Sequence, residues 1–281
     1  MAPVSVWGMM ATILFVAALA LYVGAAGSMT ASFAGARAVG SRTGILLAIG
    51  GTVLHGAGLA AFTAAHAELP LVGLAPSLCT LAFLTALFLV VTSITGESGP
   101  VGLVLVPLVA LLLAIALLLG VEPAGQPLAF SGVWFSFHVL LAFVGFAGLA
   151  IAFGAGLLYL LQFRALKGKR LGRMYRAFPS LPVLDRLGRR GVAVGFAALT
   201  LALVLGWAWT IRFRGTLAAA DPEVIWGVVT WFAFAAAVGV RIRSGADAGR
   251  RAALASVIGF AVVVAAYILL RVFVARGEVF L

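Results

Sequence analysis

Acidic residues are scarce in this chain. Of 281 residues only eight are Asp or Glu, and all charged residues together make up 10%. A soluble domain carries about a quarter charged residues, so a water-soluble fold is excluded. None of the eight acids lies deep in an apolar run. Proton- and cation-coupled transporters use carboxylates buried in the membrane, so that class is disfavoured. No internal inverted repeat is visible either. There is one cysteine, Cys79, itself in an apolar run. A single cysteine makes no internal disulfide and no CxxC pair, which leaves thiol–disulfide chemistry without a basis. Short alternating segments of the β-barrel kind are missing. The start, Met1 to Trp7, has no basic stretch before its apolar run. It reads as a first membrane span and not as a cleaved signal peptide.

What the chain has is apolar length. Hydrophobic residues make up 64%, in runs of about 20, each enough to cross a bilayer core of about 30 Å as a helix. Eight spans are predicted: 4–26, 44–66, 73–94, 101–120, 132–162, 191–213, 224–240 and 252–275. The expected fold is an all-α polytopic membrane protein, a bundle of about eight transmembrane helices. It divides into an N-terminal four-helix membrane region, 1–130, and a second membrane region, 131–281. Connections are short except 163–190, where Phe178-Pro179-Ser180-Leu181-Pro182 should interrupt any helix. No room remains for a catalytic domain outside the bilayer, and the sequence offers no nucleophile, so an enzyme is not expected.

The formal net charge is +11. Nucleic acid is not the reason, because the basic residues sit in short loops beside apolar spans, where Lys and Arg set orientation and meet anionic lipid. The odd-numbered loops carry fifteen of them, the longest run extending from Arg164 to Arg190, whereas the even loops carry only Arg212 and Arg214. The odd loops are therefore expected in the cytoplasm and both termini outside, in a bacterial inner (plasma) membrane.

With that orientation all six tryptophans fall near the outer face: Trp7, Trp134, Trp207, Trp209, Trp226 and Trp231. An interfacial belt is one explanation, but a belt populates both interfaces. The competing explanation is a platform for a flat aromatic ligand, formed by Trp207, Trp209, Trp226 and Trp231 around loop 6. His138 lies six residues into span 5, about 9 Å below its start. An imidazole is costly in lipid and should face the bundle interior. It is either bonded to a neighbouring helix or bound to a metal, with haem iron the foremost candidate. His55 and His66 share a face of span 2 about 16 Å apart. They cannot hold one ion together. His66, level with His138, is a candidate second ligand, and His55 reads more readily as packed polar glue. Outer arginines, Arg212 and Arg214 among them, either snorkel to the surface or pair with ligand carboxylates such as haem propionates. Gly148, Ala152 and Gly156 form a small-residue stripe that should let another helix approach span 5 closely.

Several stretches in 131–275 carry a resemblance. They are His138 to Ala147; Gly156 to Gln162, followed by a basic loop; Pro179 to Leu187; Gly195-Phe196; Gly206-Trp207-Ala208-Trp209; Asp221-Pro222; and Trp226 with Thr230-Trp231. In this order they resemble the cytochrome c assembly protein family, the CcsA, CcmC and HemX-like membrane proteins. The resemblance implies haem handling at the outer membrane face, in cytochrome c biogenesis. It implies that His138 is the iron ligand before a tryptophan-rich loop, that Asp221 orders the end of that loop, and that Trp226 and Trp231 follow it. It also implies cytochrome c maturation or other haem-pathway membrane partners. The chain departs from the family pattern at Ala218-Ala219-Ala220, where aromatics are usual, and at Gly239, where many members carry histidine. Those departures motivate an alternative, a HemX-like regulatory or scaffolding protein that has lost haem binding.

Overall fold

The computed structural model describes residues 6–34, 42–71, 73–94, 101–123, 133–169, 178–214, 222–243 and 248–274. Among these there are eight long helices: α1 (Val6–Ala34), α2 (Arg42–His66), α3 (Leu74–Ile94), α4 (Gly102–Leu119), α5 (Val133–Lys167), α6 (Leu181–Arg214), α7 (Pro222–Arg243) and α8 (Ala248–Val274). All eight are long and apolar enough to cross a membrane. The protein is thus an all-α, multi-pass membrane protein, as its apolar runs predict. In lipid every backbone polar group must be paired within the segment, which is why such runs become helices. Their hydroxyls follow the same rule. Thr52, Thr85, Thr230 and Ser256 each donate to the carbonyl four residues earlier, at 2.8, 2.8, 2.8 and 3.0 Å.

Several helices outrun the apolar spans. α5 continues to Lys167 through its basic end, and α6 begins at Leu181, ten residues before the apolar run. Residues 178–180 are non-helical, as the Phe178–Pro182 segment predicts, and the segment sets the start of α6. Pro182 lies in the first turn, where a missing N–H costs nothing, and Val183 and Leu184 both donate to the Ser180 carbonyl. At the other extreme α4 stops at Gly120, whose φ of +82° is open to glycine.

The chain forms two compact units, Met1–Pro127 with Ala165–Pro179, and Leu128–Arg164 with Ser180–Leu281. In the first, α1 packs on α2 and α4, and α3 on α4 and α2. Its interior holds Phe15, Tyr22, Phe62, Leu105 and Leu113. In the second, the α5–α6 seam is built from glycine. A methyl placed on Gly148 would lie 2.6 Å from the Gly191 carbonyl oxygen and 2.8 Å from Gly195 Cα. Gly156 meets α8 instead, its added methyl falling 2.9 Å from the Ala253 carbonyl oxygen. The small-residue stripe of α5 therefore serves two neighbours. Leu149, Ala152, Val192, Leu199, Phe234, Ala237 and Val263 form the core of this unit. At the basic end Asp185 accepts from Arg241 of α7 at 2.9 Å and from Arg189 of its own helix at 2.8 Å.

Candidate functional site

His138 stands in the second turn of α5 and is half-buried. Its Nδ1 lies 2.6 Å from the carbonyl oxygen of Ala202 on α6. A carbonyl can only accept, so Nδ1 carries the proton and donates. In the neutral ring Nε2 is then left with a lone pair, the form that binds a metal. Among the described residues Nε2 has no hydrogen-bond partner. The ring rests over Gly206: a methyl there would lie 2.6 Å from Cε1, 2.9 Å from Nδ1 and 3.4 Å from Nε2. Nearer the start of α5, Phe135 meets Trp209 with ring centroids 6.0 Å apart.

The remaining indoles of the second unit divide into two groups. Trp134 and Trp207 are 65% and 45% exposed and point away from the unit, as residues of an interfacial belt do. Trp226 and Trp231 turn inward against the core of α5–α8. Trp226 stacks on Phe146 at 4.5 Å, and its Nε1 donates to the Val263 carbonyl at 3.3 Å. Trp231 donates from Nε1 to Thr200 Oγ1 at 3.1 Å and lies against Phe196. Phe146 is eight residues beyond His138, about 12 Å further along α5. Of the residues singled out in the sequence, His138 and Trp209 thus share the α5–α6 seam, whereas Trp226 and Trp231 are seated deeper. Arg212 is exposed in the last turn of α6, and Arg214 is its final residue. Asp221 lies outside the described residues.

The other two histidines belong to the first unit. His66 ends α2, exposed, with its ring 4.7 Å from that of Phe62. His55 is fully buried. Its Nδ1 is 3.4 Å from the Tyr22 hydroxyl and its Nε2 3.2 Å from Cys79 Sγ, and Phe15 and Phe83 close around it edge-on. With both nitrogens engaged, this ring offers no open position to a ligand.

Sequence reasoning passed over Ala202 and Gly206 as site residues. The signal was present: Gly191, Gly195, Leu199, Ala202 and Gly206 recur at helical spacing along one stripe of α6. That stripe brings α5 close enough for His138 to reach a backbone carbonyl.

Residues 62–275 match the family described as Cytochrome C assembly protein. The chain belongs to that family. The match takes in α3 and α4 as well as α5–α8, further towards the N-terminus than the motifs legible in the sequence. Among curated relatives, the cytochrome c biogenesis protein CcsA of Prochlorococcus marinus (strain MIT 9312) is 40% identical over 85 residues, covering 30% of this chain and 27% of the relative. CcsA of Guillardia theta is 29% identical over 150 residues, covering 48% of this chain and 50% of the relative. CcsA of Prochlorococcus marinus (strain MIT 9515) is 32% identical over 154 residues, covering 48% and 49%. The matched stretches thus span between about a quarter and a half of these relatives.

Proposed function

We propose that this family member serves cytochrome c biogenesis by holding haem at the outer membrane face, where Nε2 of His138 would ligate the iron. One observation carries the reading: the Nδ1–H of His138 is spent on the Ala202 carbonyl, so Nε2 keeps its lone pair. Metal-ligating histidines almost always have their second nitrogen held in this way. Haem supplies the iron and the porphyrin to be attached to the apocytochrome. The chain's own residues position it. Phe135 and Trp209 offer aromatic surface one turn from His138, Arg212 and Arg214 are cations suited to propionates, and Asp221 would order the loop between α6 and α7. On this reading the protein is a holder and no enzyme, and its partners are membrane proteins of cytochrome c maturation or of the haem pathway. The bias of Lys and Arg towards the odd loops supports an outward-facing end of α6, and the membrane on this reading is a bacterial inner one.

The experiment is a haem titration of the purified protein followed in the visible spectrum. The wild type is expected to develop a Soret band of ligated haem that His138→Ala loses. An unchanged band in the variant overturns the assignment.

A second reading, a HemX-like regulatory or scaffolding protein without haem, is favoured by the inward seating of Trp226 and Trp231, whose N–H groups are already bonded within the unit. It predicts no band in either protein and a stable membrane partner.

A further inference from the structure

We infer that Gly206 and the backbone carbonyl of Ala202 are positioning residues for His138, together fixing its tautomer and the direction in which Nε2 points. The significance for haem rests on the function proposed above; the geometry does not.

In an α-helix a side chain leans back over the turn N-terminal to its own Cα. The side chain at position 206 would therefore cover the carbonyl of Ala202, one turn earlier. Glycine leaves that carbonyl open on the face turned to α5, and the imidazole occupies the vacated space. The distances show how completely: the nearest ring atom stands where a methyl would find it at 2.6 Å, well inside van der Waals contact. Ring and methyl cannot both be present. The conflict is with a side chain that can swing and not with backbone, so an alanine at 206 should evict the ring while α6 stays in place. The effect differs in kind from that of Gly148 and Gly191 deeper in the seam, whose nearest neighbours are backbone atoms.

Eviction has a chemical consequence. The carbonyl is an obligatory acceptor, and it selects the Nδ1–H form of a neutral ring. Without it both tautomers compete, and the Nε2–H form cannot coordinate a metal through that nitrogen. The partner is also a neutral amide and not a carboxylate, so the ring stays an ordinary neutral imidazole donor and is not pushed towards imidazolate. Loss of such an outer partner lowers metal affinity by about 10–100-fold in known sites.

The test begins without haem. Nitrogen-15 spectra of histidine-labelled apoprotein in nanodiscs report the tautomer of each ring, and the His138 signals are those lost in His138→Ala. The expected result is an Nδ1–H tautomer in the wild type and a mixed or Nε2–H population in Gly206→Ala at unchanged melting temperature. An Nε2–H tautomer in the wild type overturns the inference, and needs no variant to be seen. So does an Nδ1–H signal that persists in a folded Gly206→Ala protein. Haem titration of the same two proteins then separates the claims. About 10–100-fold weaker binding by Gly206→Ala supports both. If the tautomer shifts as expected but neither protein binds haem, the positioning stands and the haem function falls.

Discussion

Gly148→Ala gives the sharpest test of the second unit's architecture. The added methyl would lie 2.6 Å from the Gly191 carbonyl oxygen, 2.8 Å from Gly195 Cα and 3.0 Å from Gly195 N. Ordinary contact begins at 3.4 Å, so α5 and α6 must part by about 0.8 Å at their closest point. All three obstacles are backbone atoms, and no rotamer change relieves them. Overpacking of this kind costs about 1–3 kcal/mol, and the upper half of that range fits a rigid obstacle. A gap of 0.5–1 Å opened further along the seam forfeits roughly a quarter to a half of each dispersion contact. Against this, alanine in place of glycine inside a helix returns about 0.5–1 kcal/mol. The net loss is then about 1–2.5 kcal/mol. Gly239→Ala in α7 of the same unit is the control, because nothing lies within 4 Å of its added methyl; it keeps the helix gain and has no clash. Thermal melting in detergent, followed by tryptophan fluorescence, should place Gly148→Ala below wild type and Gly239→Ala level with it or above. Equal melting of the two variants would refute the close approach of α5 and α6.

Two further outcomes follow from buried polar groups. Asp185→Asn should destabilise by about 1–3 kcal/mol, because Arg241, 14% exposed, loses its carboxylate partner. Arg189→Gln should stay within about 0.5 kcal/mol, since Arg189 is 67% exposed; equal losses in detergent melts would contradict the asymmetry. Cys79 is fully buried against His55. A maleimide should therefore leave it unlabelled in native membranes and label it fully after denaturation in SDS, and rapid native labelling would show that the packing of α2 and α3 is wrong.

The eight helices were legible because hydrophobic length is a local property. Span ends were less so. α6 starts at Leu181 among charged residues, since hydropathy marks where lipid ends and says nothing about where hydrogen bonding ends. Residues 178–180 are non-helical, as the Phe178–Pro182 segment predicts, but Pro182 itself falls in the first turn of α6: a proline breaks a helix interior and suits a first turn, and sequence does not show which is present. The Gly148–Ala152–Gly156 stripe announced close packing, but not that Gly148 meets α6 and Gly156 meets α8. The site was legible as far as His138. Its partners were not, because the Ala202 carbonyl has no side-chain signature and Gly206 acts by what it lacks. The tryptophans show the same limit. The positive-inside pattern leads one to expect all six at one face, yet whether an indole turns outward like Trp207 or inward like Trp226 depends on which neighbour offers its N–H an acceptor, here Val263 on α8.

His55 and His138 place the same side chain in two membrane-embedded units with opposite outcomes. An imidazole in an apolar interior must have its polar atoms engaged or leave one for a ligand. Around His55, Tyr22 and Cys79 take both nitrogens and three aromatic rings close the remaining space. That ring ties α1, α2 and α3 together, as polar residues between membrane helices do. His138 has one nitrogen held at 2.6 Å and the other without a partner among the described residues, in a half-buried position. A residue serving only to join α5 to α6 would do so with the Nδ1 bond alone, and a serine or threonine would supply such a bond with less bulk. The imidazole adds a second nitrogen whose direction is set by the first. Packing does not need that nitrogen, whereas ligation of a metal does. On the function proposed above, this difference between the two rings is the reason to choose His138 over His55.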